Sequence, residues 1–459
     1  MQGPARTCDP LYWCSVNSYA AKRDRLAGQM KSAVAGGIGL RKDTSNLFRT
    51  RAAAAQRQID VRDFTSVLHV DPDAAWVEVE GMTPYAALVD ATLAQGVMPC
   101  VVPQLKSITI GGAVSGLGIE SSSFRHGLVH ETVLEMDVLL PGGEVILCTP
   151  DNEHSDLFHG LPNSYGTLGY VLKLKARTMP VTGYVRLRHH RYGMSDEFFA
   201  ALEAKCDSDA DFVDAVIFGP DEFYITEARH VERAPGTSDY GYKNIYYQSI
   251  REKKEDYLTT HDYIWRWDSD WFWCSKNFGL HNPLLRRLAG RRRLNSVTYT
   301  KIMRWNSRHG LTRRLDKFRG LHSESVIQDI CIPIHRAEEF LHFLLEVIGI
   351  LPIWICPARH LNRAAPTPLF PMNDEVLYVD FGFWDVIRGP MKHEPGHFNR
   401  LIEQKTQELG GAKSLYSESY YQREAFWSIY NEAHYRALKK KYDPQGQLKD
   451  LYEKCVLGA

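Results

Sequence analysis

Residues 109–123 read Thr-Ile-Gly-Gly-Ala-Val-Ser-Gly-Leu-Gly-Ile-Glu-Ser-Ser-Ser and include four glycines and four serines. Glycines allow positive φ angles and let another molecule approach the backbone closely. Free N–H groups and hydroxyls in such a segment predict an anion-binding nest that suits a pyrophosphate. A flexible surface loop is the alternative interpretation, but Arg125, His126 and Gly127 follow at once. The segment also lies between a predicted helix and a predicted hairpin rather than in a polar linker.

Two common phosphate-binding motifs do not fit this segment. A nicotinamide dinucleotide fingerprint requires a third glycine and a strand that leads directly into it. Gly116-Leu117-Gly118 has no glycine at position 121 and no such strand before it. No Gly-Lys-Ser or Gly-Lys-Thr sequence occurs in the chain, so a Walker loop is absent as well. The segment therefore predicts that a phosphate-bearing group is bound by a different fold.

The residues before this segment have the texture of a β-sheet followed by a helix. Residues 67–70 and 76–80 predict two strands, the second with strict apolar–polar alternation. Residues 83–96 predict a helix with Thr83 as its N-cap and Pro84 in its first position.

Further elements are predicted on both sides. Residues 1–19 have no clear pattern and are expected to form a loose tail, and residues 20–35 predict a basic amphipathic helix. Downstream, residues 135–140 and 144–148 predict a hairpin, and residues 169–176 predict another strand.

The domain organisation is predicted from changes in the pattern of helices, strands and linkers along the chain. Beyond Pro180, helices and strands alternate with longer polar linkers until about residue 410. We therefore predict one domain at 1–178, a second at 179–412, and a C-terminal segment at 413–459.

Composition excludes several classes of protein. The 459 residues carry 55 basic and 55 acidic side chains, and 11% are aromatic. This composition can form a hydrophobic core, so the chain is not disordered. A net charge of zero argues against a general nucleic-acid binder. The nine cysteines form no CxxC pair, and the 18 histidines show no ligand spacing, so we assign no metal and no complete disulfide framework.

The cell compartment is predicted from cysteines and hydropathy. An odd number of scattered cysteines fits reduced thiols in a cytoplasmic protein. The first thirty residues show no secretory signal. The longest apolar run, at 347–358, contains two prolines and is far shorter than the roughly 20 residues of a membrane span.

A series of motifs in fixed order carries a resemblance to a known family. The motifs are 76–81 (Trp-Val-Glu-Val-Glu-Gly), 109–112 (Thr-Ile-Gly-Gly), 127–129 (Gly-Leu-Val), 140–145 (Leu-Pro-Gly-Gly-Glu-Val), 155–160 (Ser-Asp-Leu-Phe-His-Gly) and 165–169 (Tyr-Gly-Thr-Leu-Gly). This order resembles the vanillyl-alcohol oxidase, or PCMH-type, class of FAD-binding domains. The resemblance implies an α+β fold, in which a PCMH-type FAD-binding domain of two α/β subdomains carries an α+β cap domain with an antiparallel sheet.

The same resemblance implies which residues bind FAD. In that family, these segments surround the pyrophosphate, the ribityl chain and the isoalloxazine. The implied residues are Arg41, Ser45, Asn46, Thr109, Gly111, Gly112, Ala113, Ser115, Gly116, Gly118, Ile119, Glu120, Ser121, Ser122, Arg125, His126, Gly127, Gly166, Thr167 and Gly169.

A second set of motifs is similar to one branch of the family. They are 118–123 (Gly-Ile-Glu-Ser-Ser-Ser), 148–150 (Cys-Thr-Pro), 166–169 (Gly-Thr-Leu-Gly), 326–329 (Val-Ile-Gln-Asp), 352–357 (Pro-Ile-Trp-Ile-Cys-Pro) and 423–427 (Arg-Glu-Ala-Phe-Trp). They resemble the sterol delta-24 reductase (diminuto/seladin) branch. That branch implies an NADPH-linked enzyme that reduces a carbon–carbon double bond of a lipid.

Residues 42–48 (Lys-Asp-Thr-Ser-Asn-Leu-Phe) resemble a bacterial subset of this branch. Those enzymes saturate the methylene branch of mid-chain methylene fatty acyl groups, which gives tuberculostearate-type lipids, and a methyltransferase is then an expected partner. Reduction of a sterol side chain is the alternative within the same chemistry. An FAD-dependent alcohol or aldonolactone oxidase, and a non-catalytic flavoprotein, are alternatives from other classes. The oligomeric state is left open.

The chain departs from the wider family at two places. The first glycine-rich FAD loop is reduced to residues 36–41 (Gly-Gly-Ile-Gly-Leu-Arg) and carries no histidine, so we expect non-covalent FAD. The N-terminal membrane segment of the animal and plant sterol enzymes is also missing, and we expect a cytoplasmic protein, peripheral at the membrane.

Three residues are candidates for the proton donor of such a reduction, because the flavin supplies only the redox step. Asp329 lies in an otherwise apolar strand and aligns with a substrate-facing carboxylate in related sugar-alcohol and aldonolactone oxidases. An edge-facing or salt-bridged aspartate is the alternative. Tyr416 and Tyr420 fall where such enzymes bring C-terminal residues to the flavin, and a packing role is their alternative. Arg125 and His126 suit binding rather than catalysis.

A basic stretch with neighbouring tryptophans is the last candidate feature. Residues 286–319 carry twelve Lys or Arg and one acid, and four tryptophans precede them within residues 263–273. This combination is typical of a contact with an anionic membrane. We assign substrate or membrane contact to Trp265, Trp267, Trp271, Trp273, Arg291, Arg292 and Arg293. A solvated basic face beside a tryptophan core, or binding of an NADPH or acyl-carrier phosphate, are the alternatives.

Overall fold

The computed structural model describes residues 10–31, 38–45, 48, 49, 57–309, 314, 316, 318–361 and 367–458. Asn46 and the two glycines at 36 and 37 lie outside these residues, so their predicted part in FAD binding stays a prediction. Within the described residues the chain forms one short parallel strand pair and two antiparallel sheets. This mixed architecture with antiparallel sheets confirms the predicted α+β fold class.

The first antiparallel sheet is built from residues 67–180. Its strands are β3 (Val67–Asp71), β4 (Trp76–Glu80), β5 (Val97–Pro99), β6 (Val133–Leu139), β7 (Val145–Cys148) and β8 (Tyr170–Pro180). They are ordered β3-β4-β8-β6-β7, with β5 paired to β8. The predicted hairpin is confirmed as the antiparallel pair β6–β7. The strands β1 (Ile38–Arg41) and β2 (Arg57–Asp60) form the parallel pair beside this sheet.

The alternating pattern of β4 does not leave its glutamates in solvent. Glu80 is buried and forms an ion pair with Lys22 at 2.9 Å. Glu78 is also buried and forms an ion pair with Lys173 at 2.6 Å. Lys22 belongs to α1 (Pro10–Lys31), which covers this face of the sheet. The strand is therefore buried on both faces, and the polar half of its pattern is satisfied by lysines.

The helices of this part differ in their limits from the prediction. They are α1, α2 (Tyr85–Leu93), α3 (Ile110–Gly116), α4 (Ser123–His126) and α5 (Ser155–Gly160). Helix α1 begins at Pro10, so the second half of the predicted loose tail at 1–19 is helical. Pro84, not Thr83, holds the N-cap position of α2, because its ψ of 145° is extended while the Thr83 hydroxyl donates to Ser66 O.

The second antiparallel sheet holds the long strands of the chain's later part. Its strands are β9 (Tyr184–Tyr192), β10 (Phe212–Gly219), β11 (Glu222–Val231), β12 (Glu255–Thr259), β13 (His322–Pro333), β14 (Ile353–Ala358), β15 (Tyr378–Gly389) and β16 (Ala412–Lys413). Within the described residues their order is β12-β9-β11-β10-β14-β15-β13-β16.

The remaining helices surround this sheet or return to the first one. They are α6 (Ser195–Cys206), α7 (Tyr246–Ser249), α8 (Thr260–Ile264), α9 (Pro283–Ala289), α10 (Ser296–His309), α11 (Ile334–Phe343), α12 (His397–Glu408), α13 (Arg423–Ile429), α14 (Glu432–Tyr442) and α15 (Leu451–Cys455). Helix α14 packs on α5, and Lys439 within it donates to Thr167 O at 2.8 Å. The C-terminal residues thus contact the first part of the chain, while the two predicted domain boundaries stay predictions.

The register of β13 with β15 decides which side chains face the first part of the protein. Asp329 is opposite Gly382, and Ile327 is opposite Trp384. Side chains two residues apart share a face of a strand, so these four residues lie on one face. The other face carries Ile330 and its neighbours, which pack with α6, α11 and α12 in a separate apolar core.

Candidate active site

A cavity of about 580 Å³ lies between the two parts of the chain. One side is formed by the glycine-serine segment and the start of β8, and the other by β13, β15 and the residues around Trp271. Lys449 and Lys454 from the C-terminal residues also line it. All three regions of the sequence therefore contribute to one cavity.

Many of the residues expected to bind FAD line this cavity. They are Ser45, Thr109, Gly111, Gly112, Ala113, Ser115, Gly116, Gly118, Ile119, Glu120, Gly166 and Gly169.

The glycine-serine segment differs from the predicted open loop, because its first half is helix α3. The N–H groups of Ile110 and Gly111 donate to Thr83 O and Gly81 O, and the Ser115 hydroxyl donates to Gly111 O. These groups are used within the protein and do not form an open nest. A Cβ on Gly111 would lie 2.7 Å from Gly81 O, so glycine is needed here for close packing of the helix.

Seven residues of the predicted FAD set lie away from the cavity wall: Arg41, Ser121, Ser122, Arg125, His126, Gly127 and Thr167. The Arg125 guanidinium donates to Ala210 O at 2.9 Å and connects α4 to the second sheet. The Ser122 hydroxyl donates to Cys100 O at 2.7 Å. Burial lowers the pKa of His126 to about 4, so this side chain is neutral and carries no charge for a phosphate.

Two cavity residues that the sequence did not single out have buried polar atoms without a protein partner. Gln104 has neither its Nε2 nor its Oε1 satisfied, and Arg49 has a free Nη2 while its Nη1 donates to Leu415 O. Buried polar atoms are normally hydrogen-bonded, so unsatisfied ones facing a cavity indicate a polar ligand. An amide and a guanidinium fit the alternating donors and acceptors of a flavin ring.

Asp329 contributes a carboxyl group to the cavity. It is half-buried, its Oδ1 has no protein partner, and burial raises its pKa to about 7, an effect opposed by a hydrogen bond from Tyr416. Tyr416 in turn accepts a hydrogen bond from Trp384 Nε1 at 2.9 Å. The structure therefore brings Asp329 and Tyr416 together at the cavity, and Asp329 is half-protonated near neutral pH.

A second buried carboxyl, Asp380, lies on the same face of the sheet. Its strand partner is Cys331, whose thiol donates to Asp380 Oδ1 at 3.3 Å. Burial raises the pKa of Asp380 well above its ordinary value, and the nearby charge of Asp329 raises it further. Sequence reasoning missed Asp380, although an aspartate in the apolar run at 378–384 was the signal.

Tyr420 is not part of this arrangement. Its hydroxyl donates to Glu418 Oε2 at 2.9 Å, and its N–H donates to Glu403 Oε1. It does not line the cavity, so the packing alternative describes it better than a role as a proton donor.

Aromatic side chains form the wall around Asp329. Phe272 contacts Trp384 with ring centroids 4.7 Å apart, and Phe48 contacts Tyr416 at 5.9 Å. The aromatic residues lining the cavity in this region are Phe48, Trp271, Phe272, Trp354, Trp384 and Tyr416. This surrounding is apolar, which explains the raised pKa of the carboxyl.

Three consecutive residues of this wall have a left-handed backbone. Trp271, Phe272 and Trp273 have φ angles of 50°, 49° and 56°. Residues other than glycine rarely adopt this conformation, and the surrounding structure must hold them there. The buried Asp270 does so, since its Oδ2 accepts the Trp273 N–H at 2.8 Å and its Oδ1 accepts from Ser275.

Burial does not fit membrane contact by the four tryptophans of the segment 263–273, whereas substrate contact stays a prediction for Trp271, which lines the cavity. Trp265, Trp267 and Trp273 are buried in the core, and Trp271 lines the cavity, so none of the four lies at a surface. The core-cluster alternative fits Trp265, Trp267 and Trp273, because stacked rings such as Trp267 and Phe272, 4.7 Å apart, fill the interior. The turn Arg291–Arg293 is exposed and does not line the cavity.

Glu120 is held by a buried cation from the other side of the cavity. Arg266 Nη2 lies 3.2 Å from Glu120 Oε1 and 2.7 Å from Asp214 Oδ2. Burial raises the pKa of Glu120, while the guanidinium opposes this. This triad joins the glycine-serine segment to the second sheet, so Glu120 shapes the cavity through Arg266.

Within the described parts of the chain, no three His, Cys, Asp or Glu side chains come together as a metal site. None of the helices in those parts is both long and apolar enough to span a bilayer.

Comparisons with known proteins agree with this geometry. The sequence profile of the family described as "FAD binding domain" matches residues 41–149. The chain is 28% identical to Delta(24)-sterol reductase of Homo sapiens over 416 residues, which is 86% of this chain and 76% of that protein. It is 25% identical to Delta(24)-sterol reductase of Arabidopsis thaliana over 440 residues, or 87% of this chain and 77% of that protein.

A shorter match has a different activity in its name. Cytokinin dehydrogenase 5 of Arabidopsis thaliana is 32% identical over 117 residues, which is 26% of this chain and 22% of that protein. The long matches span 86% and 87% of the chain, whereas this short one covers about a quarter. The chain is therefore an FAD-dependent oxidoreductase with a PCMH-type FAD-binding domain, and it is similar over most of its length to the Delta(24)-sterol reductases.

Proposed function

We propose that this protein uses NADPH to reduce the methylene branch of a mid-chain methylene fatty acyl group, giving a tuberculostearate-type lipid. The coarser part, an FAD-dependent reductase of a lipid double bond, rests on the long matches to Delta(24)-sterol reductases. The observation that carries the chemistry is Asp329, a cavity carboxyl with a pKa of about 7 inside an aromatic wall.

The residues of the cavity divide the task of holding FAD and the lipid. Gln104 and Arg49 would hydrogen-bond the flavin, and the segment at 109–120 would lie along it. A flavin held there would supply the redox chemistry, namely hydride transfer from NADPH to one carbon of the double bond. The apolar wall then holds the acyl chain and excludes water from the reacting carbons.

Asp329 supplies the proton that the other carbon needs. Its protonated form donates from a carboxyl oxygen, and the balance is one hydride from NADPH and one proton from Asp329 for each double bond reduced. Tyr416 hydrogen-bonds Asp329, and Trp384 Nε1 fixes the orientation of that phenol. Asp329 is then reprotonated from solvent before the next turnover.

Reduction of a sterol side chain is the second candidate. The names of the long matches favour it, because both are sterol reductases. The same residues would act in the same roles, so the two candidates differ only in the shape of the lipid that enters the cavity.

The test is a direct comparison of lipids with the purified FAD-loaded protein. Anaerobic NADPH should bleach the flavin, and a phospholipid with a methylene-branched acyl chain should restore its colour with a two-hydrogen mass gain in the product. A sterol with a side-chain double bond, added in parallel, should not. Preferential reduction of the sterol would favour the second candidate, and bleaching by an alcohol with peroxide formation in air would exclude both.

A methyltransferase is the partner that this proposal implies, because the methylene branch has to be made before it is reduced. Co-purification from a host that makes methylene-branched acyl chains tests the partner.

A further inference from the structure

Helix α9 exposes most of its apolar side chains to solvent. Leu284, Leu285 and Leu288 are 65%, 46% and 71% exposed, although the helix spans only Pro283–Ala289. Single exposed leucines are ordinary, but three on one short helix form a patch that normally contacts another surface.

Helix α10 continues this feature. Ile302 is 42% exposed and Trp305 is 53% exposed. Tryptophan prefers the boundary between water and lipid, where its ring is apolar and its N–H still meets a polar group. Trp305 thus has the exposure that the four tryptophans at 265–273 lack.

The charged side chains of residues 283–309 are all basic, and the exposed carboxylate of Asp239 beside them pairs with Arg291 at 3.2 Å. No Asp or Glu occurs within residues 283–309. Arg287, Arg292, Arg293 and Lys301 are exposed, and no carboxylate within the described residues forms an ion pair with them. Arg286 differs, because it is buried and its Nε donates to Tyr242 O. The apolar patch is therefore rimmed by free cations, an arrangement that complements an anionic lipid surface.

The same helix forms part of the cavity. Met303 of α10 lines it, and Tyr299 stacks on Trp271 with centroids 6.0 Å apart. The Arg304 guanidinium donates to Ser45 O, another cavity residue. A surface that contacts lipid at Ile302 and Trp305 would place the bilayer next to the wall through which an acyl chain enters.

We propose that α9, the Arg291–Arg293 turn and α10 dock this protein on the anionic surface of a lipid bilayer, so that the acyl substrate enters beside Met303. The part about entry rests on the proposed lipid substrate, whereas the docking itself does not. A bilayer fits better than an acidic protein partner, because exposed leucines and an exposed tryptophan accompany the cations, a combination that lipid interfaces favour.

Vesicle sedimentation of the full FAD-loaded chain tests the docking. The wild type should sediment with vesicles of phosphatidylcholine and phosphatidylglycerol, weakly with phosphatidylcholine alone, and less at high salt. The variant L284Q/L288Q should lose about tenfold or more of its affinity, because two leucines no longer enter the lipid. R292E/R293E should lose the preference for anionic vesicles.

The matched control is M391Q/K392E, which changes an exposed apolar residue and an exposed lysine elsewhere on the surface. It should bind vesicles as the wild type does. Equal binding of all variants, equal binding to neutral vesicles, or a wild-type dimer that L284Q/L288Q converts to a monomer would overturn the proposal.

A second measurement separates docking from the proposed reaction. L284Q/L288Q should keep its flavin absorbance, its thermal unfolding and its turnover of detergent-dispersed substrate, and lose turnover of substrate held in vesicles. If no lipid is reduced in either form while vesicle binding follows the pattern above, the docking stands and the proposed substrate is wrong. Loss of both turnovers with intact vesicle binding would show that these leucines act in the reaction instead of docking.

Discussion

Asp329 is a side chain whose charge state is set by its neighbours. Burial raises its pKa from 3.8 to about 7, so it holds a proton below neutral pH and loses it above. If it donates the proton, turnover should be constant at acidic pH and fall by about tenfold per pH unit above about 7. Asp329→Asn should lose about a hundredfold or more in turnover while it keeps flavin. Stopped-flow kinetics across the pH range measures both.

Tyr416→Phe is the control for that profile. The hydrogen bond from Tyr416 lowers the pKa of Asp329, so removing it should move the alkaline fall in rate to higher pH. An unchanged profile in this variant, or full activity in Asp329→Asn, would exclude Asp329 as the donor. The same group affects stability: the unfolded chain loses this proton near pH 3.8 and the folded chain near 7, so its contribution to stability decreases as pH rises between them.

Sequence reasoning at the level of single residues succeeds where a residue type conflicts with its surroundings. Asp329 was predicted because a carboxyl in an apolar strand is costly, and the structure brings it to the cavity. Gln104 was missed because a glutamine in a loop shows no such conflict, and its unsatisfied amide exists only in three dimensions. For a related reason, nothing in the sequence reveals the acceptors that the structure shows for Arg125, Ser208 O and Ala210 O.

The left-handed segment Trp271–Trp273 depends on one carboxylate. Asp270→Ala removes the acceptor of the Trp273 N–H, the Ser275 hydroxyl and His281. Leaving buried donors unpaired should lower the free energy of unfolding by about 2–3 kcal/mol. Because Trp271 and Phe272 line the cavity, KM should rise more than turnover falls. Denaturant unfolding and steady-state kinetics measure the two effects.

Asp73→Ala provides the comparison, since Asp73 is an exposed aspartate far from this segment in sequence. It should change neither stability nor KM. Asp270→Asn, which keeps one acceptor oxygen, should fall between the two. A stable Asp270→Ala protein with normal KM would mean that the aromatic wall holds its own conformation.

The elements themselves were predicted unevenly, and the reason is physical. Strand β4 and the hairpin β6–β7 follow from local alternation and a Pro-Gly-Gly turn, which act over a few residues. Helix α3 does not follow from its local sequence, because its three glycines and one serine argue against a helix. Its first N–H groups are held by Gly81 and Thr83, residues about thirty positions away, and a local pattern carries no information on such contacts.

For the molecule as a whole, the net charge of zero hides a separation of charge. The sequence located the basic stretch and assigned substrate or membrane contact to Arg291–Arg293 and to four tryptophans, and the tryptophans are buried. Exposure depends on how α8 and the residues after it pack on the second sheet, which periodicity does not reveal. The leucines of α9 could have been proposed for this contact from the sequence, since they lie directly beside the arginines.

The triad of Arg266, Asp214 and Glu120 joins the two parts of the molecule, and its removal should uncouple them. Arg266→Met leaves two buried carboxylates without a cation, which should cost about 3–5 kcal/mol of the free energy of unfolding. The loss should shrink as pH falls, because burial raises the pKa of the Glu120 carboxyl, which can then take up a proton. The exposed pair of Arg188 with Glu255, 3.6 Å apart, is the control, and Arg188→Met should cost about 0–1 kcal/mol. Urea unfolding at several pH values, followed by flavin and tryptophan fluorescence, measures this. The triple change E120Q/D214N/R266M should recover part of the stability, and equal losses for both arginine variants would mean that the triad does not hold the cavity together.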